Sequence, residues 1–389
     1  MLRSLYSGIS GLRAHQTMLD VTGNNIANVN TAGFKASSTQ FQDALSQVQQ
    51  GATGPQAETG GSNPAQIGLG VRVSGVSTNF SQGSSQSTGR ATDLMISGDG
   101  FFVTSKGGSQ LFTRAGAFSP DAANQLVSPD GGILQGWTAT DGVINAGGPV
   151  GAITLNPNTM VAKATDTVSL DGNLPSDYTG ADMERVVKVY DGAGVERNLT
   201  LTFAKTAGGW SVGGVDDDGA SSNITLAQEP NGVLTPSGPF TIGAVSVDLS
   251  KVSGFATMSS LTVSGQNGAP VGKLESYTLG NDGSLIGSFS NGIKEVLAKI
   301  ALAKFTNPAG LEKSGGSSYV ATGNSGGVQL GAAGDPGMGT LTGGALEMSN
   351  VDLSQEFTNL IVAQRGFQAN ARIITTSDEV LQELGSLKR

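Results

Sequence analysis

The chain has 389 residues, more than one ordinary domain holds, and two or three folded units plus extensions are expected. A net charge of −9 and a pI near 4.7 argue against nucleic-acid and anionic-lipid partners, which need clustered Lys and Arg. The absence of cysteine excludes disulfides, thiolate zinc sites and cysteine nucleophiles.

The N-terminal stretch MLRSLYSGISGLRAHQ lacks the continuous apolar core of a cleavable signal peptide. No segment approaches the roughly 20 apolar residues of a membrane span. Direct membrane insertion is therefore not expected, and export would use a route without a cleavable signal peptide. Leu2, Leu5, Ile9, Leu12, Gln16, Leu19, Gly23 and Ile26 fall at alternating spacings of three and four. This heptad seam, with Gln16 and Gly23 as defects, predicts a helix over residues 2–27 about 39 Å long. Asn30-Thr31-Ala32-Gly33 supplies a stop. Asn24, Asn25 and Asn28 cluster near its end, where their amides can bond open carbonyls or a neighbour's backbone, or simply terminate the helix.

Residues 46–66 are rich in Gln, Gly, Thr and Pro with little periodicity, and residues 35–70 read as an extended linker. The period then changes to two, in Val71-Arg72-Val73-Ser74-Gly75-Val76, Val187-Lys188-Val189-Tyr190 and Leu199-Thr200-Leu201-Thr202-Phe203. Turn dipeptides punctuate this middle: Asp99-Gly100, Asp130-Gly131, Asp171-Gly172, Asp191-Gly192, Asn231-Gly232, Asp282-Gly283 and Asn291-Gly292. The central part is expected to be all-β, in sandwiches or irregular barrels. A second Gly-rich stretch, around 323–344, precedes the C-terminal helix.

At the C-terminus Leu353, Phe357, Leu360, Gln364, Phe367, Ala371, Ile374, Asp378 and Leu381 alternate by four and three. Ile373, Val380, Leu384 and Leu387 widen the apolar face, and Asn350-Val351-Asp352 offers capping side chains. Burying a Leu, Ile or Phe is worth about 1.5–3 kcal/mol, so each helix offers on the order of 10 kcal/mol to a partner. An intramolecular two-helix stem satisfies the stripes. So does an assembly element that orders on polymerisation.

No enzymatic constellation emerges. His15 is the single histidine, expected on a surface or packed. Gly323-Asn324-Ser325-Gly326-Gly327 fits G-x-S-x-G, the string a secreted hydrolase would need, without a strand leading into a helix or a companion histidine. Asp216-Asp217-Asp218-Gly219 lacks the ligand spacing of a calcium loop, with Gly214 and Thr225 where acidic ligands belong. No catalytic, metal or cofactor-binding residues are assigned.

The terminal residues carry a resemblance. Ser10-Gly11-Leu12-Arg13-Ala14, Leu19-Asp20-Val21, Asn24-Asn25-Ile26-Ala27-Asn28-Val29-Asn30-Thr31 and Gly33-Phe34-Lys35 resemble the N-terminal signature of the flagellar rod and hook axial proteins. Thr88-Gly89-Arg90-Ala91-Thr92-Asp93-Leu94 and Ile96-Ser97-Gly98-Asp99-Gly100-Phe101-Phe102 resemble the strand region that follows in that family. Gly344-Ala345-Leu346-Glu347-Met348-Ser349-Asn350-Val351-Asp352-Leu353 and Ile361 to Asn370 resemble its closing signature. The resemblance implies a mainly β chain whose terminal helices pair as a coiled coil. Its helical core would hold residues 1–34 with 346–389, and the linker 35–70. An inner β domain would hold 71–144 with 285–345, and an outer β domain 145–284. The extra middle sequence favours the bacterial flagellar hook proteins over the shorter rod subunits. It further implies a helical homopolymer acting as a universal joint. Partners would be rod subunits at the proximal end, hook–filament junction proteins and the hook cap at the distal end, and the flagellar export apparatus. The polymerisation seam is then expected at Leu5, Ile9, Leu12, Leu19 and Ile26 with Leu353, Phe357, Leu360, Phe367 and Ile374, and the family signature at Asn24, Asn25, Asn28, Gly33 and Phe34.

Overall fold

The computed structural model describes residues 2–55, 60–140 and 142–386. Leu387 lies outside the described residues, as do the side chains of Leu2 and Leu384. The chain forms two compact units, one of residues 1–155, 278–286 and 296–389, the other of residues 156–277 and 287–295.

In the first unit the terminal helices α1 (Leu2–Ala27) and α2 (Leu353–Ser386) pack together. At 1.5 Å per residue their 26 and 34 residues span about 39 and 51 Å. Asp352 caps α2: its carboxylate accepts the N–H groups of Ser354 at 2.8 Å and Gln355 at 3.3 Å, two of the donors a helix start leaves open. After α1, β1 (Ser37–Asp43) pairs antiparallel with β4 (Val71–Thr78), with a register shift at Gln40/Phe41. Between them β2 (Ser46–Gln50) and β3 (Ala65–Gly68) form a hairpin, exposed at every residue. The stretch expected as an aperiodic linker is thus a pair of ladders. Backbone groups pair across these strands, while the side chains of β2 and β3 reach no core, so their sequence shows no burial period.

The β body of this unit is built on strands Phe101–Lys106, Ser109–Thr113, Ile133–Thr140 and Ser318–Val320. Its core gathers Phe101, Val103, Phe112, Ala303, Phe305, Leu311 and Tyr319. The aromatic rings meet edge to face, with centroids 4.8 Å apart for Phe112–Phe305 and 5.8 Å for Phe101–Phe305.

The second unit is a sandwich. One sheet runs Met183–Tyr190, Glu196–Thr206, Gly209–Asp216, Ser221–Gln228 and Leu234–Pro236, antiparallel throughout. The other runs Phe240–Ile242, Val245–Ser253, Thr167–Asn173 and Thr262–Gln266, with its middle pair parallel. The alternating residues Val187, Val189, Leu199, Leu201 and Phe203 point into one core with Trp210, Val247 and Leu249. The mainly β architecture with paired terminal helices is the one expected.

Most dipeptide signals are turns, as at Gly131, Gly232, Gly283 and Gly292, all at positive φ. Asp171-Gly172 is not: it lies within strand Thr167–Asn173. Gly172 sits there at φ +128°, and any Cβ would strike the Ser260 carbonyl. Close strand approach, rather than a turn, selects this glycine.

Candidate assembly surface and stem joint

The two helices meet along small and polar residues. Gly8 lies against Ile373, and Gly11 against the Asn370 amide. His15 covers Gly366: a methyl group on that glycine would sit 2.5 Å from the imidazole. Ala363 is fully buried, as are Ala14, Thr22 and Ser377 nearly so. Glycine and alanine let the backbones approach closely. The helices run antiparallel, with residue 8 beside 373 and residue 25 beside 356. The expected seam lies on neighbouring positions. Leu5, Ile9, Leu12, Leu19, Ile26, Leu360, Phe367 and Ile374 are half-buried, while Leu353 and Phe357 are exposed. Seven large apolar side chains of α2 (Leu353, Phe357, Ile361, Val362, Ile373, Val380 and Leu381) remain 38–54 % exposed. Scattered exposed leucines need no explanation, but Leu353, Phe357 and Ile361, spaced by four, share one face, and an apolar stripe of this kind marks a surface awaiting a partner.

At the base of the stem the signature residues converge. α1 ends at Ala27, where the Asn28 amide donates to the Asn24 carbonyl at 2.9 Å and to the Asn24 side chain at 3.1 Å. Asn28 Oδ1 in turn accepts from Thr31 at 3.1 Å. Asn24 and Asn28 therefore close the helix end. Asn25 does something else. Buried to 1 % exposure, its Nδ2 donates to the Ser37 carbonyl at 2.8 Å and to Glu356 Oε1 at 3.1 Å. Its Oδ1 accepts the Ser37 N–H at 3.0 Å. One side chain thus joins α1, β1 and α2.

Gly33 adopts φ +68°, and its N–H donates to the Glu347 carbonyl at 2.8 Å. The backbone of Ala115 leaves no room for a Cβ there, so the position requires glycine. Phe34 lies under the Lys313 ammonium, 5.3 Å from its ring centroid. Together with Asn24, Asn28, Ala115 and Tyr319 they line a mostly apolar cleft of about 580 Å³.

Lys35 is completely buried and meets Glu347 Oε1 at 2.6 Å. Arg114 reaches Glu347 Oε2 at 3.4 Å, and Gly83 N–H donates to Oε1 at 2.8 Å. Burial pulls the Lys35 ammonium below its ordinary pKa, and the hydrogen bond and charge of Glu347 offset this only in part. Burial likewise lowers Arg114, against the pull of the same carboxylate. Two cations therefore share one anion out of water, and Glu347 is the member the others depend on. Sequence reading placed Lys35 and Glu347 inside signature strings without assigning them roles, and missed Arg114. A charged residue inside an otherwise apolar or glycine-rich string is the signal that could have found all three.

The sequence elements suggestive of chemistry are structural. Ser325 is buried; its Oγ donates to the Thr322 carbonyl at 2.8 Å and accepts the Thr322 N–H at 3.0 Å, closing a turn. Asp216 and Asp218 both hold Arg197, and Asp217 accepts the Asn198 N–H at 2.9 Å.

Comparisons with known proteins agree with this arrangement. Residues 5–35 match the flagella basal body rod protein family, 95–174 the D1 domain of flagellar hook proteins FlgE/F/G, and 342–387 the C-terminal family of the basal body rod FlgEFG proteins. Flagellar hook protein FlgE of Borreliella burgdorferi is 40 % identical, over 100 % of both chains. The chain belongs to the flagellar hook protein family. FlgE of Salmonella typhimurium is 35 % identical over 99 % of this chain and 100 % of its own. The flagellar basal-body rod protein FlgG of Bacillus subtilis is 33 % identical over 100 % of both. Like the other hook proteins, the chain is a structural subunit of the flagellum and not an enzyme.

Proposed function

We propose that this hook subunit polymerises head to tail into a short, curved, hollow tube that transmits torque from the rod to the filament. The observation that carries the reading is the uncovered apolar stripe of α2. Glycine, alanine and buried polar residues close much of the helix pair, which leaves the exposed Leu353, Phe357 and Ile361 for neighbouring copies. Unlike surfaces meeting head to tail propagate a helix when they do not close into a ring. The seam in the tube joins Leu5, Ile9, Leu12, Leu19 and Ile26 of one copy with Leu353, Phe357, Leu360, Phe367 and Ile374 of others. The helical stems line the channel, and the β domains lie outside them. Rod subunits meet the tube at its proximal end, and cap and junction proteins at its distal end. The subunit reaches the exterior through the flagellar export apparatus.

Immunogold electron microscopy of isolated flagella, with antibody against residues 156–277, tests this. Gold is expected on the curved segment between basal body and filament. Gold confined to the straight rod would move the chain to the rod subunits.

A further inference from the structure

We propose that Asn267 is a self-modifying residue: the backbone nitrogen of Gly268 attacks its side-chain carbonyl carbon, ammonia leaves, and water turns the residue into aspartate or isoaspartate. The inference concerns the second unit alone and does not depend on what the chain assembles into.

The chain carries three Asn-Gly pairs, at 231–232, 267–268 and 291–292, all within the second unit. Glycine leaves the nitrogen that follows an asparagine unobstructed by a side chain, so ring closure is easiest at these pairs. Closure then asks for three things. The side-chain carbonyl must be polarised, its amide nitrogen must be free to leave, and the glycine N–H must be free to lose its proton and turn inward. The structure grants these unequally.

Asn267-Gly268 joins strands Thr262–Gln266 and Ala269–Leu279, and Asn267 is exposed. Its Oδ1 accepts two backbone N–H groups, from Asp166 at 2.9 Å and from Thr167 at 3.0 Å. Two donors aimed at one carbonyl oxygen are the arrangement that stabilises the oxyanion of a tetrahedral intermediate. Among the described residues no acceptor holds Asn267 Nδ2. The Gly268 N–H is tied to a side chain, Gln266 Oε1 at 2.7 Å, and a side chain can swing aside without opening a backbone turn.

The other two pairs each fail a requirement. Asn291 Nδ2 donates to the carbonyls of Val161 at 3.0 Å and Pro270 at 2.7 Å, which fastens the leaving group. The Gly292 N–H closes a turn on the Phe289 carbonyl at 2.9 Å. Asn231 keeps an unheld amide, but Gly232 is buried against the Phe255 ring, and its N–H closes a turn on the Glu229 carbonyl at 3.0 Å. The side-chain oxygens of Asn231 and Asn291 accept one backbone N–H each, from Val233 and Ile293.

In the step itself the Gly268 nitrogen gives its proton to solvent and bonds to Cγ of Asn267. The bond from Cγ to Nδ2 breaks, and ammonia departs with a solvent proton. Water then opens the cyclic imide. Opening at Cγ gives aspartate, whose carboxylate accepts the Asp166 and Thr167 N–H groups with a full negative charge and so more strongly than the amide did. Opening at the main-chain carbonyl gives isoaspartate.

The test incubates the full-length chain at mildly alkaline pH in isotope-labelled water, folded and in guanidinium, and follows the three pairs by peptide mass spectrometry. The label separates conversion during incubation from conversion during digestion. In the folded chain Asn267 is expected to convert at least about tenfold faster than Asn231 and Asn291, the factor set by opening a backbone turn. In guanidinium the three rates should converge. Equal rates at the three pairs in the folded chain would overturn the proposal, as would an Asn267 no faster than Asn291 or conversion without incorporated label.

Discussion

Glu347→Gln and Lys35→Met touch the same buried cluster but should differ sharply. Glu347→Gln removes the carboxylate that meets both Lys35 and Arg114, leaving the two buried cations without their shared counter-charge. Breaking a buried pair this way costs about 3–5 kcal/mol, a fifth or more of a typical total stability of roughly 5–15 kcal/mol. Lys35→Met leaves Arg114 and Glu347 as a balanced pair. Glu347 Oε1 keeps the Gly83 N–H, and the Ser81 carbonyl keeps the Asn350 amide. The lowered pKa of Lys35 states that its charge is held against a net desolvation penalty, so a methionine of similar length should cost no more than about 1 kcal/mol. Urea unfolding of the first unit, followed by Trp137 fluorescence in a Trp210→Phe background, separates it from the sandwich, which holds Trp210. A Lys35→Met loss equal to or larger than that of Glu347→Gln would refute the charge accounting.

Three further outcomes follow from the same structure. Phe357 is 52 % exposed, so Phe357→Asp should change monomer stability by less than about 1 kcal/mol. It should raise the critical concentration for polymerisation at least about tenfold by sedimentation, since an unburied aromatic forfeits about 1.5–3 kcal/mol per contact; an unchanged critical concentration would remove Phe357 from the seam. Gly366→Ala should lower stability, although alanine favours a free helix by about 1 kcal/mol, because His15 occupies the space. Gly23→Ala, with open space around it, should raise stability, and equal signs in thermal melts would show that the helices pack differently. Burial pushes the Tyr319 phenol up to about 12 from 10. The folded state thus holds its proton where the unfolded chain loses it, so this stabilisation is complete below pH 10 and falls away as pH rises through 12. Tyr319→Phe should lack that part of the alkaline slope in stability measured between pH 10 and 12.

Periodicity served well where one residue face is buried in one core. The strands Val187–Tyr190 and Leu199–Phe203 alternate because each second side chain enters the sandwich core. α1 was legible to its last residue because a heptad pattern and an Asn-rich stop coincide there. The signal failed where burial is absent or comes from the backbone. Strands β2 and β3 bury no side chains, so nothing in their sequence alternates. Gly172 imitates a turn because close approach and positive φ select the same residue.

The stem shows the deeper limit. A hydrophobic pattern reports which residues want burial, not which partner provides it. Leu5, Ile9, Leu12 and Phe357 carry the strongest pattern, yet the contact between α1 and α2 also draws on Gly8 against Ile373, Gly11 against Asn370 and Gly366 against His15, and a hydrophobicity reading passes over the glycines, Asn370 and His15. Small residues let two backbones close on each other at little side-chain entropy cost. A large residue at those positions would hold the helices apart and would itself be consumed by the contact. Placing glycine inward therefore does two things at once: it closes the stem within one chain, and it keeps the large apolar side chains on its flanks. At the base of the stem the ties are polar: Asn25 bonds both Ser37 and Glu356, and in a buried site the loss of one partner leaves the others unsatisfied.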